Sequence, residues 1–131
     1  MKTIAIRLTK GMDLKEEIEK CAKNNNIHAG CILSAVGCLS KITLRTAGAK
    51  SVETIEDDFE IVSATGTLSK DGCHIHISVS DDKLNTFGGH LKNGCIVNTT
   101  VELILLDTEE YIFSREMDEY TGYKELVIRR K

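Results

Sequence analysis

Three histidines have the spacing expected of a metal site. His74 and His76 are two residues apart, and His90 follows fourteen residues later, directly after Gly88 and Gly89. Side chains at positions i and i+2 of a β-strand share one face, so a strand here would present His74 and His76 side by side. A turn over Asp81–Gly89, after that strand, would return His90 toward them. Because neutral imidazole is a preferred ligand of zinc, copper, iron and nickel, the pattern indicates a divalent transition metal, with zinc as the default.

A plainer interpretation of the same residues stays open. Two histidines at i and i+2 on an exposed strand are often surface or hydrogen-bonded residues. Three protein ligands with an open fourth position are typical of a catalytic zinc site, where a bound water becomes acidic. However, no nucleophile or general base can be assigned from the sequence, so the catalytic residues are unknown. The candidates for groups that orient the metal or its ligands are Glu102, Asp81 and Asp82.

Further residues are candidates for contacts around the site. Glu102 is a charge within the apolar strand predicted at Cys95–Leu106. It faces the histidines, or it points to solvent or to a basic side chain on a neighbouring strand. Arg45 ends a predicted buried strand, where it pairs with a carboxylate across a subunit interface or is solvated. Gly88 and Gly89 either let the backbone approach the site closely or form an ordinary turn.

The composition argues against several classes of protein. The 131 residues suit one compact domain, predicted over residues 1–131. The net charge of −3 lacks the basic footprint of most nucleic-acid-binding proteins, although a local basic patch is compatible with it. No apolar run approaches the ~18 residues of a membrane span, and no apolar signal segment is evident, which predicts a cytoplasmic location. Five cysteines without a CxxC pair predict buried thiols and argue against a zinc ribbon.

The hydrophobic pattern predicts an α+β domain with an antiparallel sheet. Asp13 as N-cap, followed by Glu16, predicts an amphipathic helix over Asp13–Asn25. Lys70–Gly72 is typical of a hairpin turn, whereas Ala47–Asp57 suits a loop or a frayed hairpin. A register change is expected at Ser40 and Lys41, and the last strand is expected to close a sheet edge. The predicted strands are Thr3–Leu8, Ala29–Val36, Leu39–Arg45, Phe59–Leu68, Cys73–Ser80, Cys95–Leu106, Tyr111–Arg115 and Leu126–Ile128. Gly66 is expected to form a bulge.

Five segments together resemble the PPC domain family, also called DUF296, which is shared by plants and prokaryotes. In chain order they are GMDLKEEI, AGCILSAVGCLSKITLR, FEIVSATGTLSKDGCHIHISVSD, GGHLKNGCIVNTTVELIL and FSREMDEYTGYKELVI. Each is weak alone, but the five in sequence make the match specific. The chain is similar to the short single-domain prokaryotic branch, because it has no arginine-glycine-proline motif of the AT-hook that precedes this domain in plant members.

The resemblance implies a fold, an assembly and a site. The fold would be an antiparallel sheet of about seven strands flanked by short helices, and the assembly a homotrimer. The site, for a metal or another ligand, would lie at the motifs His74-Ile75-His76 and Gly88-Gly89-His90. Plant members generally lack these histidines. Many prokaryotic members carry a DNA-binding label inherited from the plant architecture, and this label transfers poorly to a chain without the AT-hook.

Three functions follow from these observations and stay open at this point. The first is a homotrimeric binding or regulatory module that holds a metal without turnover. The second is DNA binding, which would show the steep salt dependence of phosphate neutralisation. The third is a metal-assisted hydrolase or lyase acting on a small molecule. A cavity beside the histidines that is lined by polar groups and open to solvent would favour the third function, whereas a flat or plugged site would not.

Overall fold

The structure is a computed structural model that describes every residue from Met1 to Lys131. It contains eight strands, one α-helix and one three-residue 3₁₀ turn. The strands are β1 Lys2–Thr9, β2 Ala29–Arg45, β3 Val52–Ser69, β4 Gly72–Ser80, β5 Thr86–Leu91, β6 Ile96–Asp107, β7 Tyr111–Met117 and β8 Lys124–Arg130. The helix α1 spans Leu14–Asn24, and the 3₁₀ turn spans Ala47–Ala49.

The helix forms where its capping residue predicts. One carboxylate oxygen of Asp13 accepts a hydrogen bond from the backbone N–H of Glu16 at 3.1 Å, which satisfies a free donor of the first turn. The other oxygen accepts from the backbone N–H of Gly94 at 2.6 Å, so the same side chain joins the helix to the loop before β6. The residues of α1 that are buried in the core are Leu14, Ile18, Cys21 and Ala22. The predicted amphipathic helix is confirmed.

Six strands form one antiparallel sheet in the order β1-β6-β2-β3-β4-β5. The end of β2 also pairs with β5, so β2, β3, β4 and β5 close into a ring of strands. The two strands predicted at Ala29–Val36 and Leu39–Arg45 are one continuous strand, β2. The expected register change lies between Leu39 and Lys41, where a bulge takes up an extra residue without ending the ladder.

The hairpin of β3 and β4 carries the two neighbouring histidines. Its turn lies at Lys70 and Asp71, as predicted, and its arms pair from Ser69 with Gly72 to Glu60 with Ser80. The segment left open as a loop or a frayed hairpin is paired from Val52 onward with the end of β2. The expected bulge at Gly66 is wrong, since the register shift of this hairpin lies between Ile61 and Ser63.

The remaining two strands form a sheet of their own. The β7–β8 hairpin pairs from Tyr111 with Arg130 to Met117 with Lys124. The expectation that the last strand closes an edge of the main sheet is therefore wrong, because a local partner satisfies its backbone groups. The α+β class and the mostly antiparallel sheet are confirmed, and the 3₁₀ turn is the only helical segment besides α1.

The core lies between α1 and the inner faces of the strands. The hairpin strand β4 contributes Ile75, Ile77 and Val79, each at most 3% exposed. The opposite face of the sheet is less covered, and Leu33 and Val36 of β2 and Ile104 of β6 are 56%, 53% and 37% exposed. None of the helical segments has the length and apolar character needed to cross a bilayer.

Candidate metal site

Strand alternation places two of the histidines. Because Ile75 and Ile77 point into the core, His74 and His76 point out of the sheet on the other face of β4. His90 lies on the neighbouring strand β5, directly opposite His76 in register. The turn between β4 and β5 is shorter than the predicted Asp81–Gly89, because β5 already begins at Thr86. The structure thus brings the three imidazoles to one face of two adjacent strands.

The distances between the rings suit a shared ion. The Nε2 atoms of His74 and His76 are 3.2 Å apart. Two ligands of a tetrahedral zinc, each about 2.05 Å from the metal at about 109°, are separated by about 3.3 Å, so this pair already has the required spacing. One ligand nitrogen from each of the three rings can be chosen so that all lie within 4.8 Å of one another. Metal binding would therefore require His90 to approach the pair by about an ångström or more.

The two glycines let β5 fit against its neighbours. A Cβ on Gly88 would overlap the carbonyl oxygen of Ile77 on β4, and one on Gly89 would lie 2.7 Å from the carbonyl oxygen of Arg45 on β2. Both residues lie within β5, so they are not part of an ordinary turn. Since any larger side chain would push β5 away from β4 or β2, the glycines fix the position from which His90 reaches the pair.

Arg45 stands next to the third histidine. It lies opposite His90 in register, and its Nη2 is 3.4 Å from Nδ1 of His90. Its Nε is buried and has no hydrogen-bond partner. No carboxylate of the chain forms an ion pair with this guanidinium. The fully solvated alternative does not hold for this side chain, since part of its guanidinium is buried beside the histidines.

The predicted acidic candidates lie elsewhere. Glu102 is exposed on β6 opposite Arg7, and three strand spacings of about 4.8 Å, roughly 14 Å in all, separate its strand from β4. Asp81 accepts hydrogen bonds from the backbone N–H groups of Lys83 and Asn85, both at 2.9 Å, and so shapes its own turn. Within one chain, the structure does not bring Glu102 to the histidines.

Burial and neighbouring cations keep two of the imidazoles uncharged. Burial, and next the Arg45 guanidinium, lower the pKa of His90 to about 4. Burial, followed by Arg115 and His76, lowers the pKa of His74. These two rings are therefore neutral at pH 7, and the neutral ring has the lone pair that a metal needs.

A residue outside the predicted set reaches the site from the C-terminal hairpin. Arg115 of β7 donates from Nη2 to the hydroxyl of Thr67 at 2.9 Å, and Thr67 is the β3 partner of His74. The backbone N–H of Arg115 donates to Asp71 at 2.9 Å. No sequence signal marks Arg115, because its contact with β3 spans 48 residues. A cavity of about 380 Å³ separates this hairpin from the histidines, and its lining includes Arg45, His74, His90, Arg115, Tyr123 and Glu125.

A larger cavity of about 540 Å³ lies on the other side of the histidines and is open to solvent. The 3₁₀ turn and strands β3, β4 and β5 form its walls. Its polar lining includes Arg45, Ser63, Thr65, His76, Ser78 and His90, and no carboxylate. The site thus combines three clustered imidazoles with an accessible pocket lined by one cationic side chain.

The fold and the site together describe a β-rich domain in which three imidazoles cluster on an antiparallel sheet beside a Gly-Gly pair. The chain belongs to the Plants and Prokaryotes Conserved (PCC) domain family, whose model matches residues 1–109. The resemblance drawn from the five sequence segments is therefore confirmed. The β7–β8 hairpin lies beyond the matched residues.

The relatives include longer proteins and single-domain structures. The chain is 44% identical over 129 residues to the bifunctional protein GlmU of Synechococcus sp. strain JA-2-3B'a(2-13). The matched region covers 98% of this chain but 20% of that protein. The chain thus spans about a fifth of the length of this curated relative. A hypothetical protein from Salmonella cholerae-suis is 33% identical, with a TM-score of 0.95 over 99% of this chain and 94% of that one.

Two further solved structures are similar to this chain. A metal-containing protein from Archaeoglobus fulgidus is 29% identical, with a TM-score of 0.78 over 97% of this chain and 94% of that one. A proposed DNA-binding protein from Bacteroides thetaiotaomicron is 23% identical, with a TM-score of 0.85 over 95% of this chain and 91% of that one. At that identity the second likeness shows the fold alone.

Proposed function

We propose that this protein is a homotrimeric metal-binding module that works by binding or regulation. Its ligands are His74, His76 and His90, and its metal is zinc or another divalent transition metal. The observation that carries the proposal is the 3.2 Å separation of the Nε2 atoms of His74 and His76, with the third ring centred within 5.6 Å of both. The metal-containing relative from Archaeoglobus fulgidus supports it.

Metal analysis of protein purified without a histidine tag tests the ligand set. We expect about one zinc per chain in the wild type, and a loss of most of it in both His74→Ala and His90→Ala. His28→Ala is the matched control, because His28 is exposed and lies outside the cluster. Unchanged metal content in the two cluster variants would refute the ligand assignment.

A binding role agrees better with the site than turnover does. The lining of the cavity of about 540 Å³ has four hydroxyl-bearing residues, Thr46, Ser63, Thr65 and Ser78, but no carboxylate to act as general base. The PCC-like part of the Synechococcus relative is joined to a bifunctional protein, which also suits an accessory module. The hydrolase or lyase alternative has the open cavity in its favour and lacks an assignable base.

The trimer is supported by an uncovered apolar surface. Leu33, Val36 and Ile104 are exposed on adjacent strands, and exposed apolar side chains that lie together are often found at protein–protein contacts. We expect light scattering to give three chains per particle. Val36→Glu should give smaller particles. Val52→Glu, at a comparably exposed site at the start of β3, should leave the particle size unchanged. A clean monomer in the wild type would contradict the trimer.

DNA binding is a weaker proposal that rests on the name of a relative. The exposed start of β3 carries Glu53, Glu56, Asp57, Asp58 and Glu60, which would repel phosphate on that side. A gel shift in about 50 mM salt is the sensitive condition, since binding through phosphates weakens steeply as salt rises. No shift under that condition would remove DNA as a partner.

A further inference from the structure

Arg45 is placed as a cation without a counter-ion. Its guanidinium has five N–H donors, yet the only hydrogen bond of its side chain is the 3.4 Å approach of Nη2 to Nδ1 of His90. Its Nε is buried without any partner. A buried donor without an acceptor costs about 1 to 3 kcal/mol, and more for a charged group. A side chain is held in this state only where the surrounding fold imposes it or where a ligand completes it.

The fold imposes the position of Arg45. Its backbone is paired with Val52 on one side and with His90 on the other, at the point where β2 closes the ring of strands against β5. The approach of Gly89 to the carbonyl oxygen of Arg45 tightens the same junction. The backbone of Arg45 therefore stays at the wall of the 540 Å³ cavity whether or not an acceptor is present.

The charges around that cavity have one sign. Arg45 is the only side chain in its lining with a permanent charge, and the lining includes no Asp or Glu. A divalent ion on the three histidines would add two further positive charges a few ångströms away. A pocket with this balance favours an anion, and its volume falls within the range of roughly 300 to 1,000 Å³ typical of small-molecule sites.

We propose that this cavity binds a small organic carboxylate, whose oxygens pair with the Arg45 guanidinium beside the metal. The planar fork of a guanidinium matches a carboxylate in a bidentate pair. A phosphate dianion fits less well, because no second cationic side chain lines the cavity. The hydroxyls of Ser63, Thr65 and Ser78 would bind hydroxyl or carbonyl oxygens elsewhere in the same molecule. This inference deepens the proposed function, since it names the ligand class of the metal-binding module.

Nuclear magnetic resonance of ¹⁵N-labelled, zinc-loaded protein tests the proposal with sodium succinate and sodium lactate as probes. We expect saturable shifts of the amide signals of Arg45, Gly88 and Gly89, and much smaller shifts with inorganic phosphate or with neutral acetamide. Arg45→Gln should weaken carboxylate binding at least tenfold when both proteins are compared with zinc bound. Arg7→Gln, an exposed arginine on β1, is the matched control and should bind like the wild type.

The outcomes separate this proposal from the metal assignment. If the protein takes up no zinc but still binds succinate saturably through Arg45, the metal proposal is removed and the carboxylate site is kept. Equal binding in the wild type and Arg45→Gln, or no saturable shift of the Arg45 and Gly89 amides, would overturn the carboxylate site whatever the zinc content. If Arg45→Gln does not fold, Arg45→Lys replaces it, since lysine keeps the charge but loses the bidentate fork and should still bind more weakly.

Discussion

The two strands that supply the imidazoles are held in different ways. β4 lies inside the sheet between β3 and β5, with Ile75 and Ile77 anchored in the core, so the backbone alone sets the spacing of His74 and His76. β5 has six residues, and it reaches its place by packing two glycines against β4 and the end of β2. One part of the site is therefore a local property of a strand, and the other depends on tertiary packing.

The two parts also have different cationic neighbours. His90 stands beside Arg45, which belongs to the main sheet, whereas Arg115 approaches His74 from the separate β7–β8 hairpin. A metal that needs all three rings would couple these regions. The pair on β4 provides a preformed edge, and the position of β5 decides whether the third ligand completes it.

The largest effect is expected from moving β5. In Gly88→Ala the new Cβ overlaps the carbonyl oxygen of Ile77, so β5 must shift away from β4. We expect the free energy of unfolding to fall by about 2 to 3 kcal/mol, in line with overpacking of a tight contact. Zinc content should fall as well, although His74 and His76 keep their places. Urea denaturation and elemental analysis measure the two effects.

Gly122→Ala is the control for a backbone penalty without a clash. Gly122 has a φ of +74°, and no atom lies within 4 Å of a Cβ built there. We expect a cost of about 1 kcal/mol from the left-handed backbone and no change in zinc. If Gly88→Ala matched Gly122→Ala in stability and retained its zinc, the dependence of His90 on the β5 contact would be disproved.

The same contrast explains what the sequence could predict. The helix, the β3–β4 hairpin and the facing of His74 and His76 follow from caps, turn residues and alternation, which act within a few residues. By contrast, the continuity of β2 depends on a bulge that no single residue in the sequence marks. The placement of Arg115 depends on a hydrogen bond to a residue 48 positions away. Glu102 was a candidate because of its polarity in an apolar strand, and strand order places it near Arg7. That the three histidines ligate a metal stays a prediction.

The second effect is a pH dependence of folding stability, to which His90 on β5 should contribute most. The pKa of His90 is lowered to about 4 in the folded chain, below the roughly 6.5 of an unfolded histidine. Between these values the unfolded state binds a proton that the folded state does not, so stability falls as the pH drops. In metal-free protein we expect the contribution to be complete above about pH 6.5 and lost as the pH falls to about 4.

Comparison with His90→Gln isolates this contribution from the carboxylates that titrate in the same range. Urea midpoints of the two metal-free proteins, measured from about pH 7.5 to about pH 4, should converge as the pH falls, because the variant has no such proton to bind. Parallel curves would show that His90 has no lowered pKa. Equal convergence in a His28→Gln control would show that the effect is not specific to the site.

The smallest effect is expected on the hairpin side. Arg115→Met keeps much of the side-chain volume but removes the 2.9 Å hydrogen bond to Thr67, which links β7 to the strand beside His74. We expect a loss of about 1 kcal/mol in unfolding free energy and at most a small change in zinc affinity, because the Arg45 side of the site is intact. Arg129→Met is the control, since its 3.5 Å ion pair with Glu116 is largely exposed and should contribute less than about 0.5 kcal/mol. A zinc loss in Arg115→Met as large as in Gly88→Ala would mean that the hairpin, and not β5 alone, holds the ligands in place.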